Sequence, residues 1–454
     1  MMIQSNLTFT ENQKISEGYK KTEVGVIPND WEVLSINDFA IKVGSGKTPK
    51  GGAQIYKKSG YPFVRSQNIG WGILDLSDVV YISKEVHENF HGNDLKNDDV
   101  LLNITGASIG RCAKADYRIS GGNVNQHVCI IRSNPDTANS DLLVEIINSK
   151  IVQTQINSYQ AGGNREGLNF SQVRQLQIPM SKKAEEQLKI ALVLNDVNAL
   201  ISELEKLIEK KQAIKTATMQ QLLTGKTRLP EFTLREDGTP KAYKDSELGQ
   251  IPEDWMALSI GSDTSLKARI GWQALTTAEY LKEGNYYLVT GTDFNGGLVN
   301  WNSCCYVSEW RYKQDKNIQL QEHDVLVTKD GTIGKVGFIE SLPLPATLNS
   351  GVFVVRPKLT KCLPRFLFYI LTSSYFDDFV KLITAGSTIV HLYQKDFVNF
   401  KFYVPHNIEE QSAIANILAD LDAELAKLNL KLDKFKNIKQ GMMQELLTGK
   451  TRVV

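Results

Sequence analysis

The chain has 454 residues, of which 42% are apolar and 23% are charged, and its formal net charge at pH 7 is +1. This length exceeds one ordinary hydrophobic core and suits two domains with connecting elements. The charge balance excludes a strongly basic protein that coats nucleic acid without sequence preference, but it leaves a local basic face open. No signal peptide and no apolar stretch long enough to cross a bilayer is present, so we expect a cytoplasmic protein without a membrane partner.

Residues 1–20 form a leader, after which a repeated unit begins. The sequence Gly-Val-Ile-Pro-Asn-Asp-Trp at 25–31 returns as Gly-Gln-Ile-Pro-Glu-Asp-Trp at 249–255. The unit closes with Leu-Leu-Thr-Gly-Lys-Thr-Arg at 222–228, and these seven letters recur unchanged at 446–452. The protein is therefore built twice, and its function should need two such units.

The interior of each unit, residues 21–181 and 245–405, is rich in short β-branched and aromatic runs separated by glycine and asparagine. This pattern predicts strands, and one helix in each interior makes the class α+β. The two interiors agree in outline but differ in their loops. The clearest predicted strands are Tyr61–Arg65, Val128–Arg132 and Val352–Arg356, the predicted helices lie near 142–159 and 364–383, and a shared turn motif runs from Asp99 to Arg111 and from Asp324 to Lys335.

Each unit ends in a proline-free segment, 182–228 or 406–454, whose apolar residues recur at heptad spacing. Each segment opens with Glu-Glu-Gln, which suits a helix N-terminus, and ends at a glycine. We expect two helices of about 40 residues that pair with each other, because a single seam of this length would stay exposed. Antiparallel pairing is favoured over parallel pairing, and packing of each helix on its own domain is the alternative. Residues 229–244 form the linker between the repeats.

Three short motifs resemble metal-binding or phosphate-binding sites, but each lacks residues that such a site requires. His87-Glu88-Asn89-Phe90-His91 is a literal HExxH, yet it has no third ligand at the usual spacing and no counterpart in the second repeat. Gly44–Thr48 and Thr224–Thr227 resemble the end of a phosphate-binding loop, but both lack its first glycine. We therefore expect no metal, no cofactor and no catalytic site in this chain.

Two variable domains on two near-identical helices suggest two recognition modules on a common support, and DNA fits their polar, basic loops. Arginine and lysine can pair with guanine, asparagine and glutamine can pair with adenine, and glycine-loop amides can hold phosphate. The candidate DNA-binding residues of the first unit are Lys47, Thr48, Lys50, Arg65, Gln67, Asn68, Asn125, Gln126, His127, Asn164 and Arg165. Those of the second unit are Thr290, Thr292, Asp293, Lys329, Asn349, Ser350, Ser387, Thr388 and His391.

Over nearly its whole length after residue 20, the chain resembles the specificity subunits of type I restriction-modification systems. The resemblance rests on the opening Gly-Val-Ile-Pro-Asn-Asp-Trp, the Asp-Val-Leu turn motif, the Glu-Glu-Gln helix start and the closing Leu-Leu-Thr-Gly-Lys-Thr-Arg. It implies two target recognition domains (21–181 and 245–405) joined by two spacer helices (182–228 and 406–454) in an antiparallel coiled coil. Each domain would recognise one half of an interrupted double-stranded DNA sequence, and the coiled coil would separate the half-sites.

The resemblance also implies that the two helical regions dock two modification subunits. The assembled adenine methyltransferase would then recruit restriction subunits that carry the ATP-dependent nuclease. Because the loop residues of the two units differ, we expect an asymmetric target and not a palindrome. The alternatives are a coiled-coil scaffold whose two domains bind proteins, and a subunit of a related enzyme that fuses cleavage and methylation in one partner.

Overall fold

The computed structural model describes residues 15–90, 92–160, 167–247, 249–271, 275–385 and 391–453. The chain forms two compact units: unit 1 is drawn from residues 1–205 with 430–454, and unit 2 from residues 206–429. Each unit therefore combines one strand-rich region with the start of one long helix and the end of the other.

The strand-rich region of unit 1 contains eleven strands and five helices among its described residues. The strands are β1 (Tyr19–Thr22), β2 (Gly25–Pro28), β3 (Trp31–Ser35), β4 (Ala40–Ser45), β5 (Tyr61–Val64), β6 (Val80–Ile82), β7 (Val100–Asn103), β8 (Cys112–Lys114), β9 (Asn123–Val124), β10 (Val128–Ser133) and β11 (Gln177–Ser181). The helices are α1 (Ile36–Phe39), α2 (Lys84–Glu88), α3 (Ser140–Asn148), α4 (Lys150–Gln160) and α5 (Phe170–Gln175), and the first long helix, α6 (Ala184–Leu222), follows them.

The main sheet of unit 1 has the order β4-β10-β7-β8 and is antiparallel, and a smaller sheet has the order β6-β5-β9. Successive side chains of a strand point to opposite faces, and both faces of the main sheet are buried. In β7, Val100 and Leu102 pack in the core that contains α3 and the start of α6, whereas Leu101 packs in a second core with Val64. The main sheet thus lies between the helices and the smaller sheet.

Unit 2 repeats this plan with more strands. They are β12 (Tyr243–Ser246), β13 (Gly249–Pro252), β14 (Trp255–Ser259), β15 (Thr264–Ala268), β16 (Tyr287–Val289), β17 (Phe294–Asn295), β18 (Leu298–Val299), β19 (Cys305–Tyr306), β20 (Val325–Thr328), β21 (Val336–Phe338), β22 (Ala346–Leu348), β23 (Val352–Pro357) and β24 (Lys401–Pro405). Its helices are α7 (Ile260–Asp263), α8 (Glu309–Lys313), α9 (Pro364–Leu371), α10 (Ser374–Thr384), α11 (Gln394–Phe397) and the second long helix, α12 (Ile408–Leu446). The main sheet has the order β15-β23-β20-β21-β18-β17.

The predicted strands are confirmed as β5, β10 and β23, but the single helix predicted in each interior is wrong. Two helices occur in its place, α3 with α4 and α9 with α10. At the first break the Ser149 hydroxyl donates to the Ile146 carbonyl at 2.6 Å, and at the second Ser373 donates to Ile370 at 2.6 Å. A serine hydroxyl that satisfies the last carbonyls competes with continuation of the helix, so the chain turns there.

The predicted long helices are confirmed, and within each unit their segments run antiparallel. In unit 2, Lys211 of α6 pairs with Glu424 of α12 at 2.7 Å, and Lys215 pairs with Asp422 at 2.5 Å. The partner number falls as the α6 number rises. Lys211 and Lys215 occupy heptad positions that face the other helix and are mostly apolar elsewhere in the pattern. Each lysine is accommodated there because an acidic side chain of the opposite helix pairs with it.

Unit 1 shows the same direction of pairing. Ile190 and Leu194 at the start of α6 share a core with Leu446 at the end of α12. Further along, Glu205 of α6 pairs with Lys436 of α12 at 2.8 Å. The long helices are therefore partners of each other as well as of the strand-rich regions.

The three repeated sequence motifs meet in one ionic cluster in each unit. In unit 2, Arg228 of the closing motif is 4% exposed and donates to Asp254 of the opening motif, at 2.9 and 3.0 Å, and to Glu410 of the helix start, at 3.0 and 2.5 Å. In unit 1, Arg452 makes the same contacts with Asp30 and Glu186. We name these groups the Arg228 cluster and the Arg452 cluster.

The clusters shift the ionisation of their carboxyl groups. Hydrogen bonds from Arg452 hold the pKa of Asp30 below its ordinary value. Burial raises the pKa of Glu410 even though Arg228 donates to it. Each cluster is preceded by a glycine in the left-handed region, Gly225 at φ 68° and Gly449 at φ 66°, which confirms the predicted helix ends.

Candidate nucleic-acid interface

Backbone hydrogen bonds hold the predicted DNA-binding loops of unit 1 side by side. The Asn125 amide donates to the Val64 carbonyl at 3.0 Å, and the Ile104 amide donates to the His127 carbonyl at 3.0 Å. The loops that follow β5, β7 and β9 therefore present their side chains on one surface, which we call surface 1.

A glycine joins the basic loop after β4 to surface 1. A Cβ atom on Gly46 would lie 1.7 Å from the Val124 carbonyl oxygen, so only glycine permits this approach. The adjoining Lys47 donates to the Asn89 carbonyl at 2.6 Å, while Thr48 and Lys50 are exposed. The two lysines give surface 1 a basic rim that suits phosphate.

The three candidates after β5 all turn towards Asp78. Arg65 donates to its backbone carbonyl at 2.7 Å and lies 3.2 Å from its carboxylate, and Gln67 donates to the same carboxylate. Asn68 is completely buried, where its amide donates to Asp78 at 2.7 Å and its oxygen caps the Arg65 backbone at 2.9 Å. The prediction for Asn68 is therefore corrected: it shapes the turn and does not face a ligand. Arg65 is half-buried and Gln67 is exposed, and both are already paired with Asp78.

The candidates after β9 differ in how available they are. The Asn125 side-chain oxygen accepts from the His127 amide at 3.0 Å, and the His127 ring lies 2.5 Å from the Thr105 hydroxyl. Gln126 is exposed, and its amide lies 3.4 Å from the other nitrogen of His127. Gln126 is thus the candidate here whose polar groups are most open to a ligand. Asn164 and Arg165 lie outside the described residues.

Unit 2 builds an equivalent surface, surface 2, with the same backbone contacts. The Asn349 amide donates to Val289 at 3.0 Å, and the Lys329 amide donates to Gly351 at 2.9 Å. Like Asn125, Asn349 accepts from the amide two residues later, at 3.0 Å. The frame of the surface is therefore repeated even where the loop residues differ.

The side chains on surface 2 divide in the same way. Asp293 is 4% exposed and accepts from the Thr290 amide at 2.8 Å, so its prediction is corrected like that of Asn68. Thr290 and Thr292 join their hydroxyls at 2.7 Å, and Thr292 is exposed. Of the remaining candidates, Ser350 is half-buried, and the Lys329 ammonium lies 5.3 Å from the centre of the Phe353 ring. The His391 ring pairs with the Asp330 carboxylate. Ser387 and Thr388 lie outside the described residues.

Sequence reasoning missed two residues of surface 1. Asp78 organises three of the candidates, but nothing in its local sequence distinguishes it from any acidic residue before a strand. Thr105 holds His127 in place, and its position inside the repeated turn motif was a signal that could have found it.

The described residues contain no group of three metal-ligating side chains that could hold an ion. His87 of the HExxH sequence stacks on Tyr61 with 3.8 Å between ring centres, and its Nδ1 lies 2.7 Å from the Asn123 oxygen. His91 lies outside the described residues.

The model of one protein family matches both repeats. It describes the type I restriction modification DNA specificity domain and matches residues 28–216 and 252–434. The chain belongs to this family. The chain is similar to a putative type I restriction enzyme MjaX specificity subunit of Methanocaldococcus jannaschii, with 27% identity over 445 residues that cover 96% of this chain and 97% of the relative.

More distant relatives extend this result. The chain is 20% identical to the type I restriction enzyme EcoBI specificity subunit of Escherichia coli, over 93% of this chain and 86% of the relative. Its fold is similar to that of a solved S subunit from M. genitalium, with a TM-score of 0.59 at 15% identity over 96% and 98% of the two chains. The predicted class, two α+β regions with paired long helices, is confirmed. None of the helices among the described residues combines the length and the apolar character needed to cross a membrane.

Proposed function

We propose that surfaces 1 and 2 each bind one half of an interrupted double-stranded DNA target. This proposal rests on the comparison of the two surfaces: the same backbone hydrogen bonds organise both, while the side chains at equivalent positions differ, as with Gln126 and Ser350. A shared frame suits a shared ligand, and different side chains suit different bases. The half-sites should therefore differ in sequence, and the whole target should be asymmetric.

The two kinds of side chain should act differently. Lys47 and Lys50 on the rim should contact phosphate, so replacing either by alanine weakens binding to all sequences and lowers the salt dependence of binding by about one counterion. Gln126 should contact a base edge, so Gln126→Ala costs about 1–3 kcal/mol of discrimination in one half-site. Lys427→Ala, at an exposed position of α12, is the charge-matched control.

Methylome sequencing of cells that carry each variant tests the assignment. Gln126→Ala should relax one half of the methylated sequence, and Thr292→Ala with Ser350→Ala should relax the other half. A change in both halves from either variant, or a palindromic wild-type target, would contradict the proposal.

We also propose that the specificity subunit docks two identical modification subunits, through which restriction subunits join the complex. A groove in each unit supports this. In unit 1 it has a volume of about 980 Å³ and is lined by Met443, Gln444, Thr448 and Lys450; in unit 2 it has a volume of about 330 Å³ and is lined by the same four residue types 224 positions earlier. These four equivalent positions suit two copies of one partner, although the rest of the lining differs between the grooves.

Native mass spectrometry of the co-expressed complex tests this docking. The wild-type chain should bind two modification subunits, Met443→Asp or Met219→Asp alone should leave one, and the double variant should leave none. Two bound subunits in the double variant would exclude the grooves, and none in the wild type would exclude the docking itself.

The coiled coil should set the distance between the half-sites. Deleting one heptad from both long helices shortens each by about 10 Å, which corresponds to roughly three base pairs. The methylated sequence should then keep both half-sites and lose about three base pairs of spacer, whereas an unchanged spacer would reject this role.

A further inference from the structure

Equivalent helices of the two recognition domains pack on the long helices in the same way. Helices α3 and α9 begin 224 residues apart, and the amide that precedes each is held by a glutamine of a long helix: Asn139 by Gln187 at 2.9 Å and Leu363 by Gln411 at 2.9 Å. Residues 224 apart therefore occupy the same place in each unit, and their side chains can be compared directly.

In unit 1 the recognition domain supplies a buried acid. Glu145 of α3 is 2% exposed, and its Oε1 accepts from the Asn198 amide of α6 at 2.7 Å. Its Oε2 lies 3.2 Å from Lys439 of α12, at an angle that makes an ion pair but no hydrogen bond. The long helices here contribute a neutral amide and a cation. We call these residues the Glu145 cluster.

In unit 2 the acid lies on the other partner. The residue equivalent to Glu145 is Tyr369, which is 3% exposed and donates to the Asp422 carboxylate at 3.0 Å. Asp422, equivalent to Asn198, also accepts from Lys215, equivalent to Lys439, at 2.5 Å. The long helices now supply both the acid and the cation, and the domain supplies a neutral hydroxyl. We call these residues the Tyr369 cluster.

We propose that these two clusters make each recognition domain specific for its own position on the coiled coil. If the first domain sat on the helices of unit 2, Glu145 and Asp422 would share the single cation Lys215. If the second domain sat on the helices of unit 1, Lys439 would face Tyr369 and Asn198 with no acid. Both exchanges leave an uncompensated charge, whereas each native arrangement has one acid and one lysine.

The burial of the clusters makes this charge count matter. The lysine side chains are only 21% and 18% exposed and the domain residues are almost completely buried, while Asp422 is 35% exposed and so is partly screened by solvent. Two carboxylates that share a buried site cannot both ionise without a large penalty, and an unpaired buried lysine is similarly unfavourable. The ionic contacts made by Arg228 and Arg452 are the same in both units and cannot distinguish the two domains.

Exchange of single residues in the full chain tests the proposal. Tyr369→Glu places two acids beside Lys215 and should lower the folding equilibrium constant of unit 2 on the order of a hundredfold, which corresponds to a melting temperature lower by roughly 5–10 °C. Tyr369→Gln is the matched control, because it has the size of glutamate without the charge, and it should be less damaging. Asp422→Asn alone should also destabilise, because it leaves Lys215 unpaired.

The deciding measurement is the combination. The double variant Tyr369→Glu with Asp422→Asn recreates the Glu145 cluster in unit 2 and should be more stable than Tyr369→Glu alone. Asp422→Asn should therefore destabilise the wild-type chain but stabilise the Tyr369→Glu variant. In unit 1, Asn198→Asp should rescue Glu145→Tyr in the same way. Equal damage from Tyr369→Glu and Tyr369→Gln, or the absence of rescue in both units, would overturn the proposal.

A chain with two copies of the first domain extends the test. When residues 21–181 replace residues 245–405, the folded yield should depend on adding Asp422→Asn. A chimera that is equally stable with and without this substitution would also contradict the proposal. These readouts measure folding alone, so a failure of the proposed DNA binding would leave them unaffected.

Discussion

Replacing Arg228 by methionine should destabilise unit 2 more than Arg452→Met destabilises unit 1. Arg228 is 4% exposed and its partner Glu410 is 1% exposed, whereas Arg452 is 33% exposed. Removing one member of a buried ion pair strands the other and costs roughly 3–5 kcal/mol. Arg452 and its partner Asp30 are 33% and 48% exposed, so solvent screens part of the charge that Arg452→Met leaves even though Glu186 is buried, and we expect a cost of roughly 1–2 kcal/mol.

The pH dependence of the Arg228→Met variant distinguishes a stranded charge from lost packing. Burial already raises the pKa of Glu410, and removing Arg228 should raise it further. A carboxyl whose pKa is higher in the folded state favours folding below its unfolded pKa and loses that contribution as pH rises through the folded pKa. The variant should therefore be closest to wild type below about pH 4.5, the ordinary pKa of a glutamate, and should lose stability relative to wild type as pH rises through the raised pKa of Glu410.

Hydrogen exchange along a urea titration of the full chain assigns the loss to a unit. In Arg228→Met, protection should fall in residues 249–259 and 408–418 and persist in residues 25–35 and 184–194. Lys226→Met, at the exposed position two residues earlier, is the control and should leave protection unchanged. Equal losses in both units, or a loss that does not depend on pH, would refute the reasoning.

Three further outcomes follow from individual contacts. Gly225→Ala and Gly449→Ala should each lower the free energy of unfolding by roughly 2–4 kcal/mol in thermal melts. Both glycines have positive φ, and a Cβ atom at either position would lie 2.4–2.6 Å from a proline. Gly441→Ala, in open space within α12, is the control and should be neutral or stabilising by up to about 1 kcal/mol. Burial opposes ionisation of Asp263, but Lys361, Ser262 and the Ser259 amide hold its pKa at about 2, so Asp263→Asn should lower the free energy of unfolding by about 2 kcal/mol at pH 7. This stabilisation is present above the unfolded pKa of Asp263, near 3.8, and disappears as pH falls through 2. The urea midpoints of the variant and the wild type should therefore converge at low pH. Asn68→Ala should lower the melting temperature by several degrees, because it leaves buried polar groups unpaired, while Gln126→Ala should weaken DNA binding in a binding titration without changing that temperature.

Local periodicity was sufficient to predict the long helices. The heptad positions from Ile190 to Ile208 and from Ile414 to Leu432 are all buried or half-buried, as the spacing indicates. The helix ends could be predicted as well, because a glycine that follows an apolar helical run can adopt the left-handed conformation that ends a helix without depending on distant contacts. The breaks at Ser149 and Ser373 were not predicted, since they depend on one hydroxyl bond each within an otherwise helical pattern.

The candidate surfaces show where such reasoning stops. Asn68 and Asp293 follow strands in polar runs and therefore resembled ligand-binding residues. Both are the last residue of a four-residue capping pattern, Arg-Ser-Gln-Asn and Thr-Gly-Thr-Asp, in which that side chain returns to the first backbone amide. The Asp78 contacts could not be predicted, because they join residues 10 to 13 positions apart through a loop of no regular period.

The ionic clusters explain why the ends of the two repeats remain alike while their interiors differ. Arg228 ends the first copy but contacts Asp254 and Glu410 of the second, and Arg452 ends the second copy but contacts Asp30 and Glu186 of the first. Each arginine therefore requires acids of the other copy, and the two pairs of acids occupy equivalent positions in their copies. A change at either end must suit a partner across the repeat, whereas an exposed loop residue such as Gln126 or Thr292 has no such partner. The glycine and the arginine that both closing motifs share thus follow from reciprocal contacts within the chain, independently of any docked subunit.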